Sequence, residues 1–123
     1  MRRENRIAFI VGSIRFCLKG GSKVKVVEQE RHFQARLIKE LKERFEGCMV
    51  MKLDANYIQG IPDLIVLYRD KWAVLECKKT TKARRQPNQD YYLKKMGAMS
   101  FSSYISPENK EEVLDELQQT FQS

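Results

Sequence analysis

The sequence has few of the residues on which several protein classes depend. Its three cysteines, Cys17, Cys48 and Cys77, are widely spaced and form no CxxC pair. This spacing argues against a disulfide framework or a zinc site and indicates reduced thiols in a cytosolic setting. A single histidine, His32, is too few for the histidine-based metal nucleases. There is no GxxxxGK[ST] segment, so we expect no nucleotide cofactor.

Long hydrophobic runs are also absent. Every apolar run is far shorter than the ~20 residues of a membrane-spanning helix. The run Ile7–Val11 follows basic residues, but it is shorter than the ~7–15 apolar residues of a secretory signal. We therefore expect no membrane span and no targeting segment, and a cytoplasmic protein.

Positive charge, in contrast, is in excess. The chain has 23 Lys and Arg residues against 16 Asp and Glu residues, a formal net charge of +7. This balance favours a polyanionic partner, either nucleic acid or an anionic membrane. A length of 123 residues with 42% hydrophobic residues is enough for one core and one domain.

Hydrophobic periodicity predicts the order helix, three strands, helix, strand, helix. That order is typical of an α/β fold in which a mixed β-sheet has helices on its faces. We expect Gly97 just past the end of the second helix, and Ser106 and Pro107 as N-cap and first residue of the third. The predicted helices are 27–45, 86–97 and 106–121, and the predicted strands are 48–53, 64–68, 72–77 and 98–105.

The N-terminal residues 1–27 are basic and apolar and are expected to be an extension of a domain that comprises residues 28–123. Two interpretations remain open for this extension: a hairpin that turns at Gly20–Ser22, or a loose basic arm.

Glu30 is an acid on the apolar stripe of the first predicted helix, three residues before Phe33. A carboxylate on a buried stripe costs free energy unless a positive charge compensates it. A functional position is one interpretation. The other is that Glu30 lies in the first helical turn, where an acid suits the helix dipole.

The segment GIPDLIVLYRDKWAVLECKK predicts a β-hairpin with charged residues at its open end. If Arg69 and Asp70 form a two-residue turn, the numbers of facing residues sum to 139, and Asp63 lies opposite Glu76. Lys78, two residues after Glu76, is then on the same side of the sheet. Alternatively, these are solvated charges at ordinary strand ends.

Two carboxylates this close repel each other unless a cation lies between them. Mg²⁺ prefers oxygen ligands, so the sequence predicts a metal site formed by Asp63 and Glu76. The main-chain carbonyl of Cys77 is a further candidate ligand, and Glu30 could reach the metal from the helix above. We expect Lys78 to orient or deprotonate a water molecule, or to offset charge on a phosphate.

These residues resemble the PD-(D/E)XK nuclease superfamily, and within it the VRR-NUC nucleases. The likeness covers roughly residues 29–105 and rests on an upstream acid, PD, ExK and the downstream NQDYYLKKMG. It implies a restriction-endonuclease-like fold with Asp63 and Glu76 as metal ligands and Lys78 as the catalytic lysine. It further implies that Glu30 is the acid of the first helix and that Gln89 helps to set the site.

The resemblance implies a Mg²⁺-dependent endodeoxyribonuclease, with Mn²⁺ as a substitute. Stand-alone members of this size are similar to phage and bacterial enzymes that act as homodimers on branched DNA, in the manner of Holliday-junction resolvases. A DNA-binding protein that keeps the fold without catalysis is the alternative. Five apolar residues of the extension are candidates for a dimer interface or for covering the chain's own sheet: Ile7, Phe9, Ile10, Ile14 and Phe16.

A basic segment, KKTTKARRQP, follows the ExK strand directly. Such a loop beside a metal site is expected to hold DNA phosphates, whereas in a neutral protein it would be solvated surface. The expected DNA-binding residues are Lys79, Lys82, Arg84, Arg85, Lys94 and Lys95.

Overall fold

The computed structural model describes the backbone of residues 23–123 and the side chains from Gln29 onward. Residues 1–22 lie outside the described residues, so the predicted hairpin or arm and the five apolar interface candidates remain predictions. The elements are the helices α1 (Lys23–Arg44), α2 (Pro87–Met99) and α3 (Lys110–Gln122), and the strands β1 (Met49–Lys52), β2 (Leu64–Tyr68), β3 (Lys71–Cys77) and β4 (Phe101–Ile105).

The four strands form one sheet in the order β1-β2-β3-β4. Neighbours β1 and β2 are antiparallel, as are β2 and β3, whereas β3 and β4 are parallel. Parallel neighbours need a long connection, and α2 supplies it. The predicted mixed sheet with flanking helices is confirmed.

One face of this sheet forms the hydrophobic core together with α1 and α3. The apolar side chains of α1 recur at steps of four residues, which places them on one stripe of the helix. The buried stripe of α3 ends with Leu117 and Phe121. The apolar stripes of α1 and α3 both pack on core residues of β2 and β3. The buried members of this core include Phe33, Leu37, Leu41, Phe45, Leu64, Val66, Leu75 and Ile105.

The β2–β3 hairpin has the predicted two-residue turn at Arg69 and Asp70, with Arg69 at a φ of 58°. Tyr68 pairs with Lys71, and the facing positions sum to 139 along both strands. This register confirms the predicted pairing and places the next two positions, 63 and 76, side by side at the open end.

Two helix boundaries differ from prediction. Helix α1 begins at Lys23 rather than at residue 27, so Glu30 is not in its first turn and the helix-dipole interpretation is wrong. Helix α2 continues through Gly97 to Met99, and β4 begins only at Phe101. Gly97 is inside α2 because the helix packs tightly on β4: a Cβ there would lie 2.6 Å from the hydroxyl of Ser102.

The predicted N-cap of the third helix is also wrong. Helix α3 begins at Lys110 with Asn109 as N-cap, and residues 107–109 form a turn. The side-chain oxygen of Asn109 accepts a hydrogen bond from the N–H of Ser106 at 2.7 Å, which closes the turn. Local side-chain hydrogen bonds of Asn compete with the backbone hydrogen bonds of a helix, and here the helix begins only after the turn. No helix of the described part of the chain is long and apolar enough to cross a membrane.

Candidate active site

Asp63 and Glu76 lie at the open end of the hairpin, and each carboxylate accepts a hydrogen bond from the backbone across from it. The N–H of Asp63 donates to Oε1 of Glu76 at 3.1 Å. The N–H of Cys77 donates to Oδ2 of Asp63 at 2.9 Å. Pro62, which is fully buried, fixes the chain just before Asp63. The two carboxylates are therefore held at fixed positions by main-chain groups of the opposite strand.

Lys78 and Gln89 complete the constellation. The ammonium of Lys78 lies 3.9 Å from Oε2 of Glu76 and donates to Oε1 of Gln89 at 2.8 Å. The amide nitrogen of Gln89 donates to Oε2 of Glu76 at 2.7 Å. A glutamine amide both donates and accepts, so Gln89 bridges the carboxylate and the ammonium. The structure thus brings Gln89 of α2 to the strand ends where the sequence predicted it.

Glu30 joins this group from α1. It is half-buried, and its carboxylate accepts a hydrogen bond from the N–H of Lys79. Its pKa is raised, first by burial and then by the nearby charge of Asp63, while Lys78 and Lys79 act to lower it. The helix stripe that carries Phe33 and Leu37 into the core brings Glu30 to the strand ends, one turn earlier.

The three carboxylates outnumber the two lysines beside them, Lys78 and Lys79. Burial, with the charge of Asp63 second, raises the pKa of Glu76 to about 8, and Lys78 only partly counters this. Burial also raises the pKa of Asp63, against the N–H of Cys77 and the charge of Lys78. Charge repulsion adds to desolvation where one carboxylate lies beside another. This arrangement favours binding of a cation.

The chemistry of these side chains fits a hard divalent cation such as Mg²⁺. Mg²⁺ prefers carboxylate oxygens and keeps several waters, so one or two carboxylates suffice to bind it. Among the described residues, no group of three or more Asp, Glu, His or Cys side chains is placed to hold a metal ion. The Cys77 thiol is unsuited as a ligand, because its side chain is buried in the core and burial raises its pKa. Its carbonyl remains a predicted ligand.

A contact that the sequence did not indicate sets the position of Gln89. Gly60, at a φ of 91°, lies directly against Asn88, the residue before Gln89. A Cβ at Gly60 would overlap the Cβ of Asn88 and lie 2.8 Å from its carbonyl carbon. The glycine before the PD motif therefore allows α2 to approach the hairpin closely enough for Gln89 to reach Glu76.

The basic segment forms the loop between β3 and α2, as predicted, and it is anchored at the site. The carbonyl of Arg84 accepts a hydrogen bond from Lys78 at 3.2 Å. The guanidinium of Arg85 lies 4.4 Å from the ring centroid of Tyr104. Lys79 and Lys82 are exposed on the same loop.

Lys94 and Lys95 are exposed on α2, away from the carboxylates. Lys95 lies on the outer face of the helix beside Tyr91, with its ammonium 5.6 Å from the ring centroid. Tyr91 and Lys95 come two and six residues after Gln89, which places them on the side of the helix opposite to it. The structure therefore places Lys79 and Arg85 beside the site and Lys95 on the opposite side of α2, while Lys82 and Lys94 are exposed.

Tyr104 and Asp90 are two further neighbours of the site that sequence reasoning missed. Tyr104 pairs with Glu76 across β3 and β4, so both side chains point to the α2 face of the sheet. Its hydroxyl donates to Oδ1 of Asp90 at 2.5 Å. The only sequence signal was indirect: Asp90 follows Gln89, and Tyr104 alternates with core residues of its strand.

A known protein structure is similar to this chain in sequence. No family model matches the chain, and no curated protein is significantly similar to it. Among solved structures, a chain described as "VRR_NUC domain" is 30% identical, and the match covers 66% of this chain and 92% of the other. The TM-score is 0.49, so membership rests on the identity and the coverage. The PD, ExK and glutamine residues that meet at the strand ends are those that suggested this family, and the chain belongs to the VRR_NUC domain family.

Proposed function

We propose that this protein is a Mg²⁺-dependent endonuclease that hydrolyses phosphodiester bonds of DNA. The observation that carries the proposal is the convergence of Asp63, Glu76, Lys78 and Gln89 at one end of the sheet. Membership of the VRR_NUC domain family supports it, because the name of that family denotes nucleases. The net charge of +7 supports a polyanionic substrate.

In this proposal Asp63 and Glu76 would hold the cation with Glu30 beside them, and Mn²⁺ could replace Mg²⁺. A bound divalent cation lowers the pKa of a water ligand and stabilises negative charge on a phosphate. Burial raises the pKa of all three carboxylates, and a bound cation would offset the cost of their buried negative charge.

Lys78 supplies the positive charge that faces the phosphate. Hydrolysis breaks one P–O ester bond: water gives its hydroxyl to phosphorus and its proton to the leaving sugar oxygen. Negative charge grows on the phosphate oxygens and on the leaving oxygen as this happens, and an ammonium held in place stabilises it. Hydrogen bonds to Gln89 and to the carbonyl of Arg84 hold Lys78 in place.

The test is a cleavage assay on plasmid, linear duplex, single-stranded, flap and four-way-junction DNA, with Mg²⁺, Mn²⁺ or EDTA. We expect cleavage with either metal and none with EDTA. Asp63→Asn and Glu76→Gln should each lower the rate by roughly 10²–10³. Glu116→Gln, at an exposed position of α3, is the control and should cleave at the parent rate.

Two outcomes would decide against catalysis at this site. Unchanged cleavage by folded Glu76→Gln would move the active centre elsewhere. Binding of DNA without cleavage under any metal would support the alternative, a DNA-binding protein that keeps the nuclease fold.

We further propose that the enzyme is a homodimer that prefers branched DNA. One chain offers one such site and so cuts one strand per encounter, whereas resolving a four-way junction needs two cuts. A two-fold dimer supplies two sites related by one axis. Light scattering and competition between junction and duplex test this: a monomer at micromolar concentration without preference for junctions would refute it and leave the nuclease proposal standing.

A further inference from the structure

A small cavity lies beside Lys78. Its volume is about 40 Å³, and it is open to solvent. Lys78 lines both this cavity and the carboxylate site, so the two are neighbours that share one ammonium. The lining side chains that carry polar atoms include Lys78, Thr81, Arg85, Tyr104, Ser106 and Asn109.

The charge of the lining is positive. Lys78 and Arg85 are cations, and no carboxylate is among the lining residues. Two acids lie close by and already accept hydrogen bonds, Glu108 from the N–H of Thr81 and Asp90 from Tyr104. Positive charge and hydroxyl groups without a facing carboxylate are the features of a site for an anion.

Tyr104 holds the two cations in place. The Arg85 guanidinium lies 4.4 Å from the ring centroid, and the Lys78 ammonium lies 5.7 Å from it. The hydroxyl of Tyr104 is fixed by Asp90 on α2. A ring orders a cation without neutralising its charge, so Arg85 keeps the capacity to bind an anion.

The size of the cavity selects the kind of anion. A cavity needs a volume of roughly 10–15 Å³ to hold one water molecule. A cavity of about 40 Å³ therefore holds a group the size of a few waters, such as a phosphate, and is too small for a nucleobase.

We propose that this cavity binds the backbone phosphate next to the one that is hydrolysed, with Arg85 as its main contact. The proposal rests on the proposed nuclease function. Lys78 would then lie between two successive phosphates of one DNA strand. Tyr104 is a positioning residue, since it acts on the phosphate through Arg85. The cavity would fix the strand so that the next phosphate meets the carboxylates.

The experiment uses the DNA form that the protein cleaves best, with one phosphate replaced by a neutral methylphosphonate. Cleavage is quantified at every linkage of that strand. We expect loss at the modified linkage itself. At the adjacent linkage on one side we also expect cleavage roughly tenfold lower than at remote linkages, the scale of a lost charge-assisted hydrogen bond. The ratio of adjacent to remote cleavage is insensitive to overall activity.

Variants assign this effect to the cavity. In Arg85→Gln the adjacent linkage should be cut as well as the remote ones, because the contact is already gone. Arg84→Gln is the matched control and should keep the tenfold ratio, since the Arg84 side chain does not line the cavity. Tyr104→Phe keeps the ring and should keep the ratio, whereas Tyr104→Leu should lose it.

Suppression confined to the modified linkage, or an adjacent effect that persists in Arg85→Gln, would overturn the cavity proposal and leave the nuclease intact. Absence of cleavage at every linkage of the unmodified DNA would overturn both proposals together.

Discussion

Two pairs of lysine and glutamate lie in this small protein with similar burial and opposite character. Lys110 and Glu40 join α3 to α1 at an N···O distance of 2.7 Å, with exposed side-chain fractions of 11% and 12%. Lys78 and Glu76 have exposed fractions of 13% and 5%, yet their closest N···O distance is 3.9 Å. The ammonium of Lys78 is instead directed to Gln89 and to the carbonyl of Arg84.

The difference lies in charge balance. Lys110 meets Glu40 and also lies 3.4 Å from Glu111, so its charge is closely paired. Lys78 faces Glu76 beside two further carboxylates, Asp63 and Glu30, and the pKa of each of the three acids is raised. The buried ion pair of Lys110 and Glu40 joins two helices of the core. Burial of an unbalanced cluster costs free energy, and perturbed groups of this kind concentrate at functional sites.

The largest expected effect separates the two lysines. Lys78→Met should lower cleavage by roughly 10²–10³ because the charge that faces the phosphate is gone, while the protein stays folded. Lys110→Met should leave the rate per folded molecule unchanged. It should lower Tm by about 10 °C, because loss of one partner of a buried pair costs about 3 kcal/mol. Cleavage assays and thermal melts of both variants check this, and equal losses of rate would refute the distinction.

The next effect concerns the contact that brings Gln89 to the unbalanced pair. Gly60→Ala and Gly47→Ala both place a side chain at a φ near 90°, which should cost each about 1–2 kcal/mol, and Gly60→Ala should lose about 1–3 kcal/mol more because its Cβ overlaps Asn88. Only Gly60→Ala meets Asn88, whereas nothing lies within 4 Å of a Cβ at Gly47. Misplacement of a catalytic group by about 1 Å can cost up to about 10²-fold, so we expect a loss of tenfold or more for Gly60→Ala alone. Equal rates in the two folded variants would contradict this role.

A smaller effect compares the two helix α1 glutamates. Glu30→Gln should lower cleavage or metal affinity by about tenfold, as for groups that support a metal site. Its Tm should stay equal or rise, because a buried acid beside Asp63 is removed. Glu40→Gln should do the reverse, with a lower Tm and an unchanged rate. A lower Tm with intact kinetics for Glu30→Gln would make Glu30 a structural residue.

The last effect is on the dependence of stability on pH. The pKa of Glu76 is about 8 in the folded protein and near 4.5 when exposed, so the unfolded chain loses this proton first as pH rises. The free energy of unfolding should therefore fall between about pH 4.5 and pH 8. Glu76→Gln should flatten that decline, and the control Glu116→Gln should keep it. Urea unfolding in EDTA across this range measures the slope, and an equal slope in Glu76→Gln would contradict the raised pKa of Glu76.

The local pattern of the sequence was enough for most of the fold. A two-residue turn at Arg69 and Asp70 sets the hairpin register, because the length of the turn fixes which residues face each other. The same register placed positions 63 and 76 together. The local pattern did not predict that Gly97 lies inside α2 or that Ser106 is not the N-cap of α3. The first depends on how closely α2 packs on β4, and the second on the side chain of Asn109.

The sequence by itself determined the order of elements, the hairpin register and the identity of the charged residues at its open end, because each depends on neighbours a few residues away. Only the tertiary structure decided that Glu30 meets the N–H of Lys79, that Gln89 bridges Glu76 and Lys78, and that Tyr104 lies under Arg85. These contacts join residues from different elements. Their distances depend on the packing of α1 and α2 against the sheet, which no local pattern specifies.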